Sequence, residues 1–262
     1  MKRIDKLFRK IISGFDMESI HEFRTEIKKL RAFIRLLNVE INGGDRLKIP
    51  KNMKTFYGYA GTIRNLQLQL DNINPYEDDP GYHVAGTYIE YLKKIIEKWK
   101  GNAIESMGPK DNFDRDKKKI KKRLPKKMRK RSGKTFLKNK VKELGFLINN
   151  LPDDEVLHSI RKLLKDLLYN WAFIKHFSTH LPPDFSEEEK IKSFTELLGI
   201  FLDKCISINL LETYCRDCEE NGLFTGTEIR ELQEIEGKWK TEKQQLNQVI
   251  YLKPELARAL TS

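Results

Sequence analysis

A chain of 262 residues with 39% hydrophobic and 34% charged residues can bury a core and still keep long polar faces in water. It holds no run of 18 apolar residues, its N-terminus MKRIDKLFRKII lacks an apolar signal core, and its three cysteines are few and odd in number. A membrane span, export and a disulfide framework are therefore not expected, and a reducing compartment, the cytoplasm, is. The net charge of +12 is uneven: Arg115 to Lys142 holds 16 Lys/Arg against the single acid Asp116, a net of +15, so the remainder holds 34 basic and 37 acidic residues.

Residues 1–14 are predicted as a short helix with Ile4, Leu7, Phe8, Ile11 and Ile12 on its apolar face and Gly14 as its stop. Asp16 is placed to cap a second helix, which carries IHEFRTEIKKLRAFIRLL (Ile20 to Leu37) and stops at Asn42-Gly43-Gly44. Pro50 opens a third helix to Ile73, with Phe56, Ala60, Ile63, Leu66 and Leu70 inward. Gly58 and Gly61 inside it each forfeit about 1 kcal/mol of helix propensity, which predicts close approach by a neighbouring helix. Asn74 to Gly81 reads as a loop, Val84 to Trp99 or beyond as a helix, and Gly108-Pro109 as a break.

Within the basic segment, Pro125 marks a kink or end and Ser132-Gly133 a second break. Its cations form either a solvated surface or an electrostatic docking face. A helix from Lys134 to Asn150 follows, with Phe136, Val141, Leu144 and Leu147 inward, and another starts at Pro152-Asp153 and runs to Phe177. After the loop Leu181–Phe185, Ser186 and Glu189 read as a capping box for a helix that carries Phe194, Leu197, Leu198 and Phe201 and ends at Asn221-Gly222. A last helix spans Thr227 to Ile250. No stretch alternates with a period of two, so an all-α bundle architecture is expected.

On the second helix Ile20, Phe23, Ile27, Leu30, Ile34 and Leu37 share one face. His21, Arg24, Lys28, Arg31 and Arg35 form a parallel row directly beside it. A basic row so close to the core face is either an ordinary solvated stripe or a site held ready for an anion. The pattern returns 137 residues later: Leu157, Ile160, Leu164, Leu167, Trp171 and Ile174 repeat the apolar positions, and His158, Arg161 and Lys165 repeat His21, Arg24 and Lys28. Leu168 and Ala172 stand where Arg31 and Arg35 would recur. The third helix carries YAGTIRN, with Gly61, Arg64 and Asn65, and the second half carries LLGIFLD, with Gly199 and Asp203, at an offset of 138. Two motifs in the same order at nearly one offset point to internal duplication, with residues 1–131 and 132–262 as the halves of one domain.

These residues resemble the CHAD family, helical domains named for their histidines. The resemblance rests on His21-x-x-Arg24 with Lys28-Lys29-Leu30-Arg31, on Gly61, Arg64 and Asn65, on His158, Arg161, Lys162, Lys165 and Tyr169, and on Leu198, Gly199 and Asp203. It implies two pseudo-symmetric antiparallel four-helix bundles and non-catalytic binding of inorganic polyphosphate, with attachment to polyphosphate granules or to polyphosphate-metabolising enzymes. The sequence departs from the family pattern in having lysine at Lys28 and Lys29, Asn65 for an aspartate and Leu168 for an arginine. Lysine binds phosphate as a point charge without the bidentate fork of arginine.

The physics agrees with that assignment. A linear polyphosphate offers dense negative charge without bases or apolar groups. A track of Arg24, Lys28, Arg31, Arg35 and Arg64 in one half, with Arg161 and Lys165 in the other, suits it. His21 and His158 either donate to the anion, more strongly when protonated, or bridge helices. The rival of a different class is nucleic-acid or acidic-protein binding through the basic segment 115–142, although no helix-turn-helix, zinc finger or aromatic RNA platform is evident. No cofactor, metal site or catalytic set is expected. Glu234-Ile-Glu-Gly-Lys238 matches the Glu-x-Glu-x-Lys of triphosphate tunnel enzymes but reads helical where that fold needs strands, and Cys215-Arg-Asp-Cys218 lacks a second cysteine pair.

Overall fold

The apolar spacing of the first half closes into four helices, α1 (Lys2–Gly14), α2 (Met17–Leu37), α3 (Lys51–Ile73) and α4 (Val84–Glu105). A short basic helix, α5 (Asp114–Arg123), leads into α6 (Lys130–Ile148), α7 (Asp154–Tyr169), the one-turn α8 (Trp171–Ile174), α9 (Glu188–Glu220) and α10 (Gly226–Tyr251). The computed structural model describes residues 1–41, 46–107, 113–125, 127–148, 153–176, 186–222 and 225–251; among these every regular element is helical, and the fold is all-α. The sequence signals at Asn42-Gly43-Gly44, Gly108-Pro109 and Leu181–Phe185 lie outside the described residues.

Both histidine-bearing helices start on a side-chain cap at the same sequence offset. The Ser19 N–H donates to Asp16 Oδ1 at 2.9 Å, and the Val156 N–H donates to Asp153 Oδ1 at 2.8 Å. Each cap satisfies a donor that the helix cannot, a contribution of about 1 kcal/mol. α1 includes Gly14, and the left-handed residue after it is Phe15, with φ 50°. That backbone region costs an L-residue about 1–2 kcal/mol. Burial of the Phe15 ring, only 5% exposed, offsets it with about 2–3 kcal/mol.

Three boundaries differ from the sequence reading. The helix expected to continue to Phe177 breaks at Asn170, which is fully buried. Its side-chain amide donates to the Asp166 carbonyl at 2.9 Å, and the chain restarts with the Phe173 N–H donating to the Asn170 carbonyl at 2.8 Å. Asparagine side chains compete with the backbone in this way. Ser132 and Gly133 do not break the chain but lie buried in the first turn of α6, so the 131/132 boundary falls inside that helix. There Glu40 takes the role of a cap, accepting from the Arg129 N–H at 2.6 Å and from the Ser132 hydroxyl. α9 opens at Glu188 with Glu187 as its N-cap, whose side chain makes no capping bond.

Successive helices pack in order, α1 on α2, α2 on α3 and α3 on α4, and again α6 on α7, α7 on α9 and α9 on α10. The halves meet where α2 lies on α7, α3 on α9 and α4 on α10. The core has a part in each half and a part on the seam. One cluster, with Phe8, Phe23, Phe56 and Phe113, fills the first half, and a second, with Phe136, Leu164 and Phe201, fills the other. A third draws Tyr88, Leu92 and Ile96 of α4 together with Leu211 and Tyr214 of α9 and Leu232 and Trp239 of α10.

Candidate functional site

Arg24 and Arg161 are seated alike. A Cβ built on Gly61 of α3 would stand 2.2 Å from Arg24 Nη1, and one built on Gly199 of α9 would stand 3.0 Å from Arg161 Nη2. Arg24 Nη1 donates to the Tyr57 carbonyl at 3.3 Å, and Arg161 Nε donates to the Thr195 carbonyl at 3.2 Å. Each acceptor lies four residues before the glycine. In a helix that carbonyl already takes the glycine's own N–H; without a Cβ at the glycine its second lone pair is open to the arginine. The close approach expected at Gly61 is therefore made by a guanidinium. At Gly58 an added Cβ would meet nothing within 4 Å.

Tyr57 has a second part in this arrangement. Its ring lies 4.7 Å from the Arg24 guanidinium carbon and 4.0 Å from that of Arg31. The ring face attracts both cations and holds them side by side. The sequence reading passed over Tyr57, although its place four residues before Gly61 was a usable signal.

The two arginine seats bring charges from both halves within reach of one another. Burial pushes Lys28 down to about 8, and Arg24, Arg161 and Lys165 add to the shift against an opposing pull from Asp203. Lys165 is lowered by burial and by Arg161. Burial also lowers Arg24 and Arg64; Arg31 and Arg64 repel Arg24 further, while Asp203 eases both. His21 and His158 sit at the exposed margin. Partial desolvation lowers His21, with Arg64, Lys28 and Arg24 contributing, and lowers His158, with Lys162, Arg161 and Lys28 contributing. Asp203 is open to solvent yet closely surrounded: desolvation raises its carboxyl, and Arg161, Lys28, Arg64 and Arg24 hold it back.

Among the described residues no carboxylate lies within ion-pair distance, 4.0 Å, of Arg24, Lys28, Arg31, Arg64, Arg161 or Lys165. Six partly buried cations gathered with no carboxylate in ion-pair range are unfavourable for the free protein. Such a cluster is eased by an anion. The Arg64 Nη1 atom is itself buried without a hydrogen-bond partner among the described residues.

Arg35 stands apart from these. It pairs with Asp166 of α7, whose carboxylate is 5% exposed and also receives Lys140 Nζ of α6 at 3.1 Å. Arg35 thus straps α2 to α7. Ala172, the residue at its repeat position, lies exposed in α8 beyond the Asn170 break. Of the set read from sequence, the structure brings His21, Arg24, Lys28, Arg31, Arg64, His158, Arg161 and Lys165 together, and adds Tyr57 and Asp203.

The remaining motifs lie elsewhere. Cys215 and Cys218 are buried in the core shared by α4, α9 and α10, and burial raises both thiols, Cys215 to about 12. Glu234 to Lys238 sits within α10. Among the described residues no helix is long and apolar enough to cross a membrane.

The fold and this cluster define a class, the all-helical domains built on paired His-x-x-Arg helices. The family model of the CHAD domain matches residues 2–212, and the chain belongs to that family. The match ends within α9, while α10 beyond it packs on α9 and α4. No curated protein and no solved structure matches the chain.

Proposed function

We propose that this protein binds inorganic polyphosphate, without turning it over, in a basic groove lined by α2, α3, α7 and α9. The observation that carries this reading is the set of six cations from both halves with no carboxylate in ion-pair range among the described residues. Arg24 and Arg161 are pre-aimed by their carbonyl seats, so little side-chain entropy is lost when phosphate oxygens arrive. Arg31 extends the path along α2, and Lys28 and Lys165 supply point charges near its middle. His21 and His158 stand at its margin as further donors. The duplication read from sequence fits this arrangement, because each half contributes one arginine seat.

The test is a titration with long-chain polyphosphate at fixed salt, with duplex DNA as competitor at matched phosphate, on the wild type and on Arg24→Ala/Arg161→Ala. Binding that resists DNA and is lost in the variant is the expected result. A variant that binds polyphosphate as the wild type does would remove the cluster from the function.

A further inference from the structure

The basic segment is not absorbed by this cluster. In α6, Phe136, Leu137 and Leu144 are buried, and Lys140 turns to Asp166. Lys130, Lys134, Lys138 and Lys142 follow one another at four-residue spacing on a different face, and all four are exposed. Arg131 and, just before the helix, Lys127 and Arg129 are exposed as well. At 1.5 Å per residue the four-lysine row is about 18 Å long.

The row works against the helix that carries it. Each consecutive pair of its lysines is a like-charge i,i+4 contact, which destabilises a helix. Lys130 and Arg131 occupy the first turn, where the macrodipole disfavours cations. The one acid of α6, Glu143, pairs with Lys140. Among the described residues none of the four lysines has an ion-pair partner. Elsewhere the surface is built differently: α4 pairs Lys93 with Glu90 and Lys100 with Glu97. Charge placed for solubility alone needs no such uninterrupted row.

We infer that this face of α6 is a second binding surface, for the phosphate backbone of double-stranded nucleic acid, engaged without regard to sequence. Between Lys130 and Lys142 the exposed face holds only Lys, Arg, Thr135 and Asn139, so the row itself offers a base no ring to stack on; the exposed ring of Phe146 stands beyond its end, four residues past Lys142. Fully solvated lysines contribute little singly, so the partner has to present many charges without losing chain entropy. A duplex does so: it carries one charge per about 1.7 Å, both strands counted, and is stiff over about 50 nm, so the stretch lying along a row of about 18 Å carries about ten phosphates. A flexible polyanion would have to be straightened along the row. The surface is separate from the α2–α7 cluster, and the inference stands independently of the polyphosphate reading.

The experiment measures binding of a short fluorescent duplex of random sequence across a salt series, by anisotropy, on the wild type and on Lys134→Gln/Lys138→Gln/Lys142→Gln. The log–log salt slope is expected to become shallower by about 2.7, about 0.9 for each phosphate contact removed. Polyphosphate affinity of this variant stays at the wild-type value, and Arg24→Ala/Arg161→Ala keeps its duplex binding. An unchanged slope, or no duplex binding by the wild type at low salt, overturns the inference. So does a variant that keeps duplex binding while losing retention on phosphatidylserine vesicles, which would make the row a lipid surface.

Discussion

Adding one methyl group to Gly61 tests the arginine seat without touching a charge. In Gly61→Ala the new Cβ would stand 2.2 Å from Arg24 Nη1, a separation that real contacts do not reach. Arg24 is the flexible partner, so the guanidinium swings away and the helix stays. Two effects then separate. Helix propensity favours alanine by about 1 kcal/mol, which offsets only part of the lost bond to the Tyr57 carbonyl, itself about 1.5–3 kcal/mol for a charged donor. Stability therefore falls by about 0.5–2 kcal/mol. Affinity does not escape, because Arg24 no longer points at its ligand: losing one charge-assisted contact of about 1.5–3 kcal/mol lowers polyphosphate affinity about ten- to hundredfold. Gly58→Ala is the internal control, since nothing lies within 4 Å of its Cβ; it should gain stability and bind normally. Gly199→Ala, at 3.0 Å from Arg161, should lose less affinity than Gly61→Ala. Calorimetric titration and thermal melts on the three variants decide it. If Gly61→Ala binds as well as Gly58→Ala, the seat is irrelevant to the ligand and the reasoning fails.

Polyphosphate affinity should fall as pH rises through about 8, where Lys28 loses its proton, and binding above that pH should take up a proton, measurable in buffers of different ionisation enthalpy. The same shift gives a stability trend. With the Lys28 pKa at about 8 folded against an ordinary 10.5, its penalty is in full force below about 8 and fades as pH climbs toward 10.5, which urea melts across that range should show. Asp203→Asn removes the carboxylate felt by Arg161, Lys28, Arg64 and Arg24, so affinity should rise several-fold; a loss would mean that Asp203 holds those cations in place. Asp166→Ala strands Lys140 in a largely buried position and releases Arg35, for a destabilisation of about 3 kcal/mol in denaturant melts, with the arginine seats intact.

What could be read from sequence was what repeats locally. Ile20, Phe23, Ile27, Ile34 and Leu37 are buried, as are Leu157, Ile160, Leu164, Leu167 and Ile174, because a period of 3.6 leaves an apolar row one place to go. The rows are offset by 137 residues, although their partly buried members, Leu30 and Trp171, are not counterparts. The Asp16 and Asp153 caps share that offset too and were legible on the same grounds. Pairings across long separations were not legible. Arg35 looks like Arg31 in the sequence, and only the packing of α2 on α7 brings it to Asp166, 131 residues away. The Asn170 break was hidden for a similar reason, since an asparagine mid-helix is ordinary until its amide is buried. Glycine at position 61 announced an unusual neighbour, but a guanidinium rather than a helix filled the space.

The core that α3 and α4 share with α9 and α10 bears on how a ligand is met. Two bodies joined by a hinge would close around a polymer and would have to be prised open to let it go. Here Leu211, Tyr214 and Trp239 share one core with Tyr88 and Leu92, so the arginines of the two halves are fixed rails. On the proposed reading, a uniform polymer laid on such rails has no preferred alignment. Every shift by one unit gives an equivalent complex, so longer chains gain affinity simply by offering more registers, and a bound chain can creep lengthwise without dissociating.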